Sequence, residues 1–348
     1  MNITIPSLLR IKPGALAKLG KYLRNSGYAK IGLFTSDGIR GVVEPALSVS
    51  LESSEIRIVY AETVTDNRIE DVFESAFAVP QGVDALVAVG GGKAIDFCKY
   101  IAFISHLPLV AVPTSLSNDG FCSPVSSLYV KGRRSSLHTK IPEGVVVDTA
   151  LAIGAPPRFL YSGMGDLISN VTAVRDWKLA FYERGEKVND FSVLTAMQAA
   201  DNLLNLPVKE LTGEPFVRTL AGGLVMSGVA MEICGSSRPS SGSDHLLSHA
   251  YDLLAEKPSL HGLQVGVATC GVAVLQQNRA EELKNFVEQT GFAEHVRQNP
   301  LERDAFLKAI KTAPSVKQDF WSVLSLAENR AALEKLVLWD GWYKRFFA

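Results

Sequence analysis

The sequence predicts an α/β domain built on a parallel sheet, followed by an all-helical domain. Two observations carry this. Through the first ~150 residues, short apolar runs of strand length alternate with helix-like stretches, the pattern of a sheet covered on both faces. After Asp148 such runs disappear and long patterns of helical period replace them. At 348 residues the chain is long enough for two cores, and Pro156-Pro157 is a breaker near the change. The expected domains are therefore 1–154 and 155–348.

The expected strands are 30–35 (KIGLFT), 55–60 (EIRIVY), 85–89 (ALVAV), 107–112 (LPLVAV) and 144–147 (GVVV). Each is a short apolar run rich in β-branched residues or bounded by turn residues. Helices are expected between them, at 69–78 and 94–104. In the second half, amphipathic patterns predict helices over 158–177, 190–204, 214–234, 245–254, 262–278, 280–288, 302–312 and 325–338. Asp244 is the expected N-cap of the helix that starts at His245. No internal repeat or low-complexity segment interrupts this order; the serine-rich 236–243 is short.

Composition excludes several classes. Hydrophobic content of 47% and charged content of 20% describe an ordinary globular chain. The net charge of −1 leaves no electrostatic footprint for nucleic acid or an anionic membrane. The apolar runs read as strand-length, short of the roughly 20 residues a membrane span needs. The N-terminus has no apolar signal core. Four cysteines without CxxC spacing read as reduced thiols, and the expected compartment is the cytoplasm.

Two loops and three histidines carry chemistry. Gly90, Gly91, Gly92 and Lys93 follow the run 85–89 and open the helix 94–104, so backbone N–H groups can approach a phosphate at a helix start. Neither GxGxxG nor GxxxxGK[ST] is present, and the same glycines would also serve a plain turn. The loop PTSLSNDG (113–120) leaves the next strand at the same sheet edge, where ligands bind in parallel sheets. Three of six histidines fall in SRPSSGSDHLLSHAYDLLAEKPSLHGLQVGVAT. His245 and His249 share one helix face, and His261 lies 16 residues beyond His245. Imidazoles so arranged suit a divalent cation, with the third ligand either His249 or a residue elsewhere in the chain.

Taken together these segments resemble the family that joins iron-containing alcohol dehydrogenases, glycerol dehydrogenases and dehydroquinate synthases. The motifs are GGGKAID (90–96), PTSLSNDGFCSP (113–124), GMGDLISN (163–170), SGSDHLLSHA (241–250) and HGLQVGVAT (261–269), in the family's order. Within it, SNDG followed by Ser-Pro, and SRPSSGSDH, look most like the glycerol-1-phosphate dehydrogenase branch. Leu263 departs from relatives that carry glutamate after the His-Gly pair. The resemblance implies a dehydroquinate-synthase-like fold: a Rossmann-like dinucleotide-binding domain and a helical metal- and substrate-binding domain. It also implies Asp166, His245 and His261 as metal ligands, with His249 facing the substrate. Gly90, Gly91, Gly92 and Lys93 match a pyrophosphate turn. Asp96, Thr114, Ser117 and Ser123 match positions around the cofactor, and Asp119 a carboxylate near the substrate hydroxyls.

The activity implied by this resemblance is reversible reduction of dihydroxyacetone phosphate to sn-glycerol 1-phosphate. NAD(H) or NADP(H) would supply hydride, and one divalent cation would stabilise the forming alkoxide; zinc is the first expectation, with nickel and iron compatible. A proton would come from water or His249. Asp37, after the run 30–35, would accept from the adenosine ribose and repel a 2′-phosphate, favouring NAD. Lys140, Arg238, Arg133 and Arg134 are the candidates for the substrate phosphate. The reacting centre is expected in the cleft between the domains. A polyol or sugar-phosphate dehydrogenase, a dehydroquinate-synthase-like cyclase and a metal-free binding module are the competing readings. A homo-oligomer is expected, and the aromatic C-terminal LVLWDGWYKRFFA reads as a subunit contact or a docked tail.

Overall fold

Runs such as LVAVP and GVVVD have no polar face, so a strand made of them is stable only where both sides are covered. In the computed structural model, which describes residues 3–207 and 209–348, they form the middle of a six-stranded parallel sheet in the unit Met1–Pro156. Its strands are β1 (Leu8–Lys12), β2 (Lys30–Ser36), β3 (Arg57–Val64), β4 (Ala85–Gly90), β5 (Leu109–Pro113) and β8 (Gly144–Asp148). Between the last two, β6 (Val125–Val130) and β7 (Arg133–His138) form a separate hairpin. The sheet order is β1-β8-β5-β4-β2-β3. The central strands β4, β5 and β8 are buried along their whole length, whereas β1 and β3 are half-exposed edges.

Helices α1 (Leu19–Asn25), α2 (Arg40–Glu52), α3 (Ile69–Ala78), α4 (Gly92–Ile104) and α5 (Thr149–Gly154) complete this unit. Asp148 caps α5 through Ala150 and Leu151 N–H, and also accepts from Gly14 and Leu16, tying the segment after β1 to the end of β8. The chain leaves β2 toward β3 on one side and leaves β4 toward β5 on the other. Since β2 and β4 are neighbours, a crevice is expected at their carboxyl ends.

Two features of this unit differ from the sequence reading. Strand β1, LLRIK, pairs with β8 although its alternation is weak. The serine-rich hairpin β6–β7 is not among the expected strands, and Lys131 and Gly132, both at positive φ, close it as a two-residue turn.

The unit Pro157–Ala348 is all-helical among its described residues, apart from one isolated bridge, Leu301 to Phe347. Its helices are α6 (Arg158–Ile168), α7 (Asn170–Arg184), α8 (Asp190–Leu204), α9 (Glu214–Cys234), α10 (Ser243–Asp252), α11 (His261–Leu275), α12 (Ala280–Gln289), α13 (Phe292–Gln298), α14 (Arg303–Thr312) and α15 (Ala327–Trp339). Helix α11 is buried from Gly262 to Ala273 and forms the centre. The helix expected over 158–177 is in fact broken at Ser169, whose hydroxyl donates to the Asp166 carbonyl at 2.6 Å. Helix α9 also corrects the reading of apolar lengths. At 21 residues it is long and apolar enough to cross a membrane by length and composition, but most of it is buried inside the protein. The C-terminal aromatics are docked: Tyr343, Phe346 and Phe347 are buried, and the Tyr343 hydroxyl donates to the Val267 carbonyl at 3.0 Å. All four cysteines are free thiols; Cys98, Cys122 and Cys270 are buried and Cys234 is partly exposed.

Candidate active site

In the α/β unit, the glycine turn lies at the carboxyl end of β4, beside the end of β2. The Gly91 N–H donates to Ser36 Oγ at 3.1 Å. A Cβ on Gly90 would sit 2.1 Å from that Oγ and 2.8 Å from the Ser36 Cβ, so the glycine is required by close approach. None of Gly90, Gly91 and Gly92 has a positive φ. Gly91 caps α4 and Gly92 begins it, a helix start suited to an anion. Lys93 is exposed, donates to the Thr65 carbonyl at 2.9 Å, and borders a cavity of about 420 Å³ with Asp66, Arg68 and Tyr129. Asp37 follows β2 as an exposed residue whose N–H donates to Val64.

The loop after β5 is joined to this turn. Thr114 is buried and its N–H donates to the Gly90 carbonyl at 2.9 Å. Ser117 and Asp119 are half-buried, and Asp119 opens the single turn Asp119–Cys122, capped by Asn118. Lys99 of α4, 1% exposed, donates to the Gly120 carbonyl at 2.5 Å and pairs with Asp96 at 3.1 Å. Burial raises the Asp96 pKa, and Lys99 opposes that shift. The buried Ser123 hydroxyl donates to the Gly120 and Val125 carbonyls. The predicted cofactor positions are thus gathered at one sheet edge.

In the helical unit, α6 and α11 meet backbone to backbone. A Cβ on Gly165 would lie 2.0 Å from the Gly262 carbonyl oxygen, and one on Gly262 would lie 1.9 Å from that of Ser162. This approach brings Asp166 of α6 to His261 at the start of α11. Asp166 Oδ1 is 3.7 Å from His261 Nε2 and 3.5 Å from His245 Nε2. One ligand atom from each of the three lies within 4.8 Å of the others.

Both imidazoles are fixed by their other nitrogen. His245 Nδ1 is 2.7 Å from Asp244 Oδ1. His261 Nδ1 is 3.0 Å from Ser248 Oγ, whose proton goes to Gln264 Oε1 at 2.7 Å. Gln264 is oriented in turn by donating to Asp252 and to the Ser259 carbonyl. These partners make each Nδ1 a donor, so both Nε2 lone pairs face the Asp166 carboxylate. With both Nε2 atoms unprotonated the three groups face one another as acceptors, an arrangement a cation satisfies. A proton satisfies it partly. Burial alone would lower the His245 pKa, but hydrogen bonds and charge from Asp166 and Asp244 outweigh it and raise it to about 9. The donor set fits a divalent ion.

Asp244 is therefore not the N-cap expected of it. Gly242 takes that position, and Asp244, in the first turn of α10, accepts from Gly242 N–H, His245 and Thr172. His249 stacks on His261 with ring centroids 5.5 Å apart and can join a second group of convergent donors with Asp252 and His261. Leu263, the departure from the family pattern, is buried in α11. Among the candidate phosphate partners, Arg238 is 3% exposed and engaged by Glu186 and the Trp321 carbonyl, while Arg133, Arg134 and Lys140 are exposed.

Sequence reasoning missed Ser36, Ser248, Asp252 and Gln264. A signal existed for two of them: Ser248 lies three residues after His245 and Gln264 three after His261, each on its histidine's helix face.

Comparison with known proteins gives a consistent family. The iron-containing alcohol dehydrogenase family matches over residues 10–156. A glycerol-1-phosphate dehydrogenase [NAD(P)+] of Thermococcus kodakarensis is 34% identical over 84% of this chain and 83% of its own. One from Thermofilum pendens is 33% identical over 97% of each chain. Among solved structures, a probable glycerol dehydrogenase from Sinorhizobium meliloti superposes with a TM-score of 0.76 at 20% identity, covering 99% of both chains, a likeness of fold. On the strength of identity that extends across both units, this chain belongs to the glycerol-1-phosphate dehydrogenase family.

Proposed function

We propose that the chain interconverts dihydroxyacetone phosphate and sn-glycerol 1-phosphate with NAD(P)H in a metal-dependent reaction. The observation that carries this reading is the convergence of Asp166, His245 and His261 as acceptors, each imidazole held in one tautomer. The relatives' names supply the substrate. When bound, the cation supplies Lewis acidity toward a ketone oxygen and the reduced nicotinamide supplies the hydride.

The chain's own residues do the rest. Asp166, His245 and His261 hold the cation, for which zinc is the first proposal, and Asp244 and Ser248 keep both Nε2 atoms available. His249 holds the proton that the new alkoxide oxygen takes up, so one hydride and one proton convert ketone to alcohol. Asp119 accepts from a substrate hydroxyl. Gly90, Gly91, Gly92 and Lys93 receive the pyrophosphate. Asp96, Thr114, Ser117 and Ser123 line the nicotinamide and ribose, and Asp37 favours NAD by its charge. The cytoplasm is the proposed compartment and a homo-oligomer the proposed state.

The test is NADH oxidation with dihydroxyacetone phosphate by metal-stripped protein, then with zinc, nickel or ferrous ion restored, and again with dihydroxyacetone. Metal-dependent turnover of the phosphorylated ketone with sn-glycerol 1-phosphate as product is the expected outcome. Absence of turnover with every metal would remove the assignment.

A further inference from the structure

The loop that leads into α10 holds a cation whose chemistry the metal site does not use. Lys317 is largely withdrawn from water, and its ammonium donates to Ser237 Oγ at 3.1 Å and Ser241 Oγ at 3.4 Å. Among the described residues its hydrogen-bond partners are these two hydroxyls, and no carboxylate pairs with it. Its neighbour Arg238 differs. The Arg238 guanidinium has its own anion in Glu186, and both cations lie against the Phe320 ring. A cation taken out of water without a paired anion is costly, which makes it a receptor for one. Burial and the Arg238 charge push the Lys317 pKa down to about 8, partly offset by Asp244.

We propose that Lys317, with the Ser237 and Ser241 hydroxyls, holds the phosphate of the substrate. Each hydroxyl accepts from the ammonium and keeps its own proton for an anionic oxygen. The start of α10 itself is closed to that role, because the Gly242 and Ser243 N–H groups are taken by Asp244 and Asp176. The location suits a short substrate. Ser241, which accepts from the Lys317 ammonium, is four residues before His245, at the loop that leads into α10. The sequence-derived candidates serve less well: Arg238 is already paired, and Arg133, Arg134 and Lys140 are exposed, where salt screens them.

This inference rests on the reading of the chain as a dehydrogenase of a phosphorylated ketone. The experiment compares the metal-loaded wild-type protein with Lys317→Ala, Lys317→Arg and the double variant Ser237→Ala/Ser241→Ala. In Lys317→Ala, KM for dihydroxyacetone phosphate should rise about 10- to 100-fold, with part of the loss recovered by Lys317→Arg. The catalytic efficiency with dihydroxyacetone and the bound metal should stay as in the wild type. An unchanged KM, or equal losses on both ketones, overturns the proposal. If Lys317→Ala fails to fold, the double serine variant decides it: a several-fold rise in KM confined to the phosphorylated ketone supports the site, and none refutes it. If the wild type turns over neither ketone, the substrate reading falls by itself. The site is then judged by calorimetry with inorganic phosphate, where binding that disappears in Lys317→Ala supports it and no binding to the wild type overturns it.

Discussion

Asp244 and Ser248 hold the two imidazoles of the proposed cation site by their Nδ1 atoms, without being ligands themselves. Replacing Asp244 by Asn keeps the shape and an acceptor for His245 Nδ1 but removes the charge. Affinity for zinc should fall about 10- to 100-fold in Asp244→Asn, as measured by competition with a chromophoric chelator. The same histidine sets a pH dependence. Its pKa is raised to about 9, so below that value a proton competes with the metal for Nε2. Affinity should therefore climb by about tenfold per pH unit toward pH 9 and then level off. In Asp244→Asn the levelling should move to lower pH, because one of the groups that raise the pKa has lost its charge. A pH-independent affinity in the wild type would contradict the tautomer argument.

The helix pair α6–α11 carries the geometry by having nothing between its backbones. Gly262→Ala would set a methyl group 1.9 Å from the Ser162 oxygen, so the helices must part. The expected loss is about 1–3 kcal/mol, read as a lower thermal midpoint, together with weaker metal binding as Asp166 and His261 separate. The glycines of GMGD and HGLQVGV are plain in the sequence, but a glycine in a helix reads there only as a weak helix former; which backbone it faces emerges from packing. The same limit explains the other misses. The break between α6 and α7 falls at Ser169, whose hydroxyl donates to the Asp166 carbonyl, and a single serine leaves no mark on the apolar period. Strand β1 is an edge with two exposed residues in its middle, so its pattern is faint. By contrast β4, β5 and β8 were legible because complete burial demands unbroken apolar runs.

Across the whole molecule, the fold class was legible because the texture of the chain changes near its two adjacent prolines. The proposed metal set could be named only through the order of several motifs, since Asp166 and His261 are 95 positions apart. Lys317 was not legible at all: it reaches Ser241 from 76 residues away, out of a segment with no motif. The proposed division of labour, cofactor on one unit and metal on the other, has a measurable consequence. Chelation should abolish turnover yet leave NADH binding, followed by fluorescence, intact. It should also withdraw stabilisation of about 2.7 kcal/mol where free metal stood at 100 times its dissociation constant, seen as a drop in melting temperature. Sedimentation velocity tests the proposed homo-oligomer, which requires a mass of at least twice 37.6 kDa.

The thiols lend themselves to a spectroscopic use. Burial pushes the Cys98, Cys122 and Cys270 thiols up, so none offers thiolate near neutral pH, while Cys234 stands partly open at the end of α9. A maleimide dye should therefore label the native chain at a single position. That position is three residues before Ser237, so the attached fluorophore becomes a reporter of what enters the loop ahead of α10.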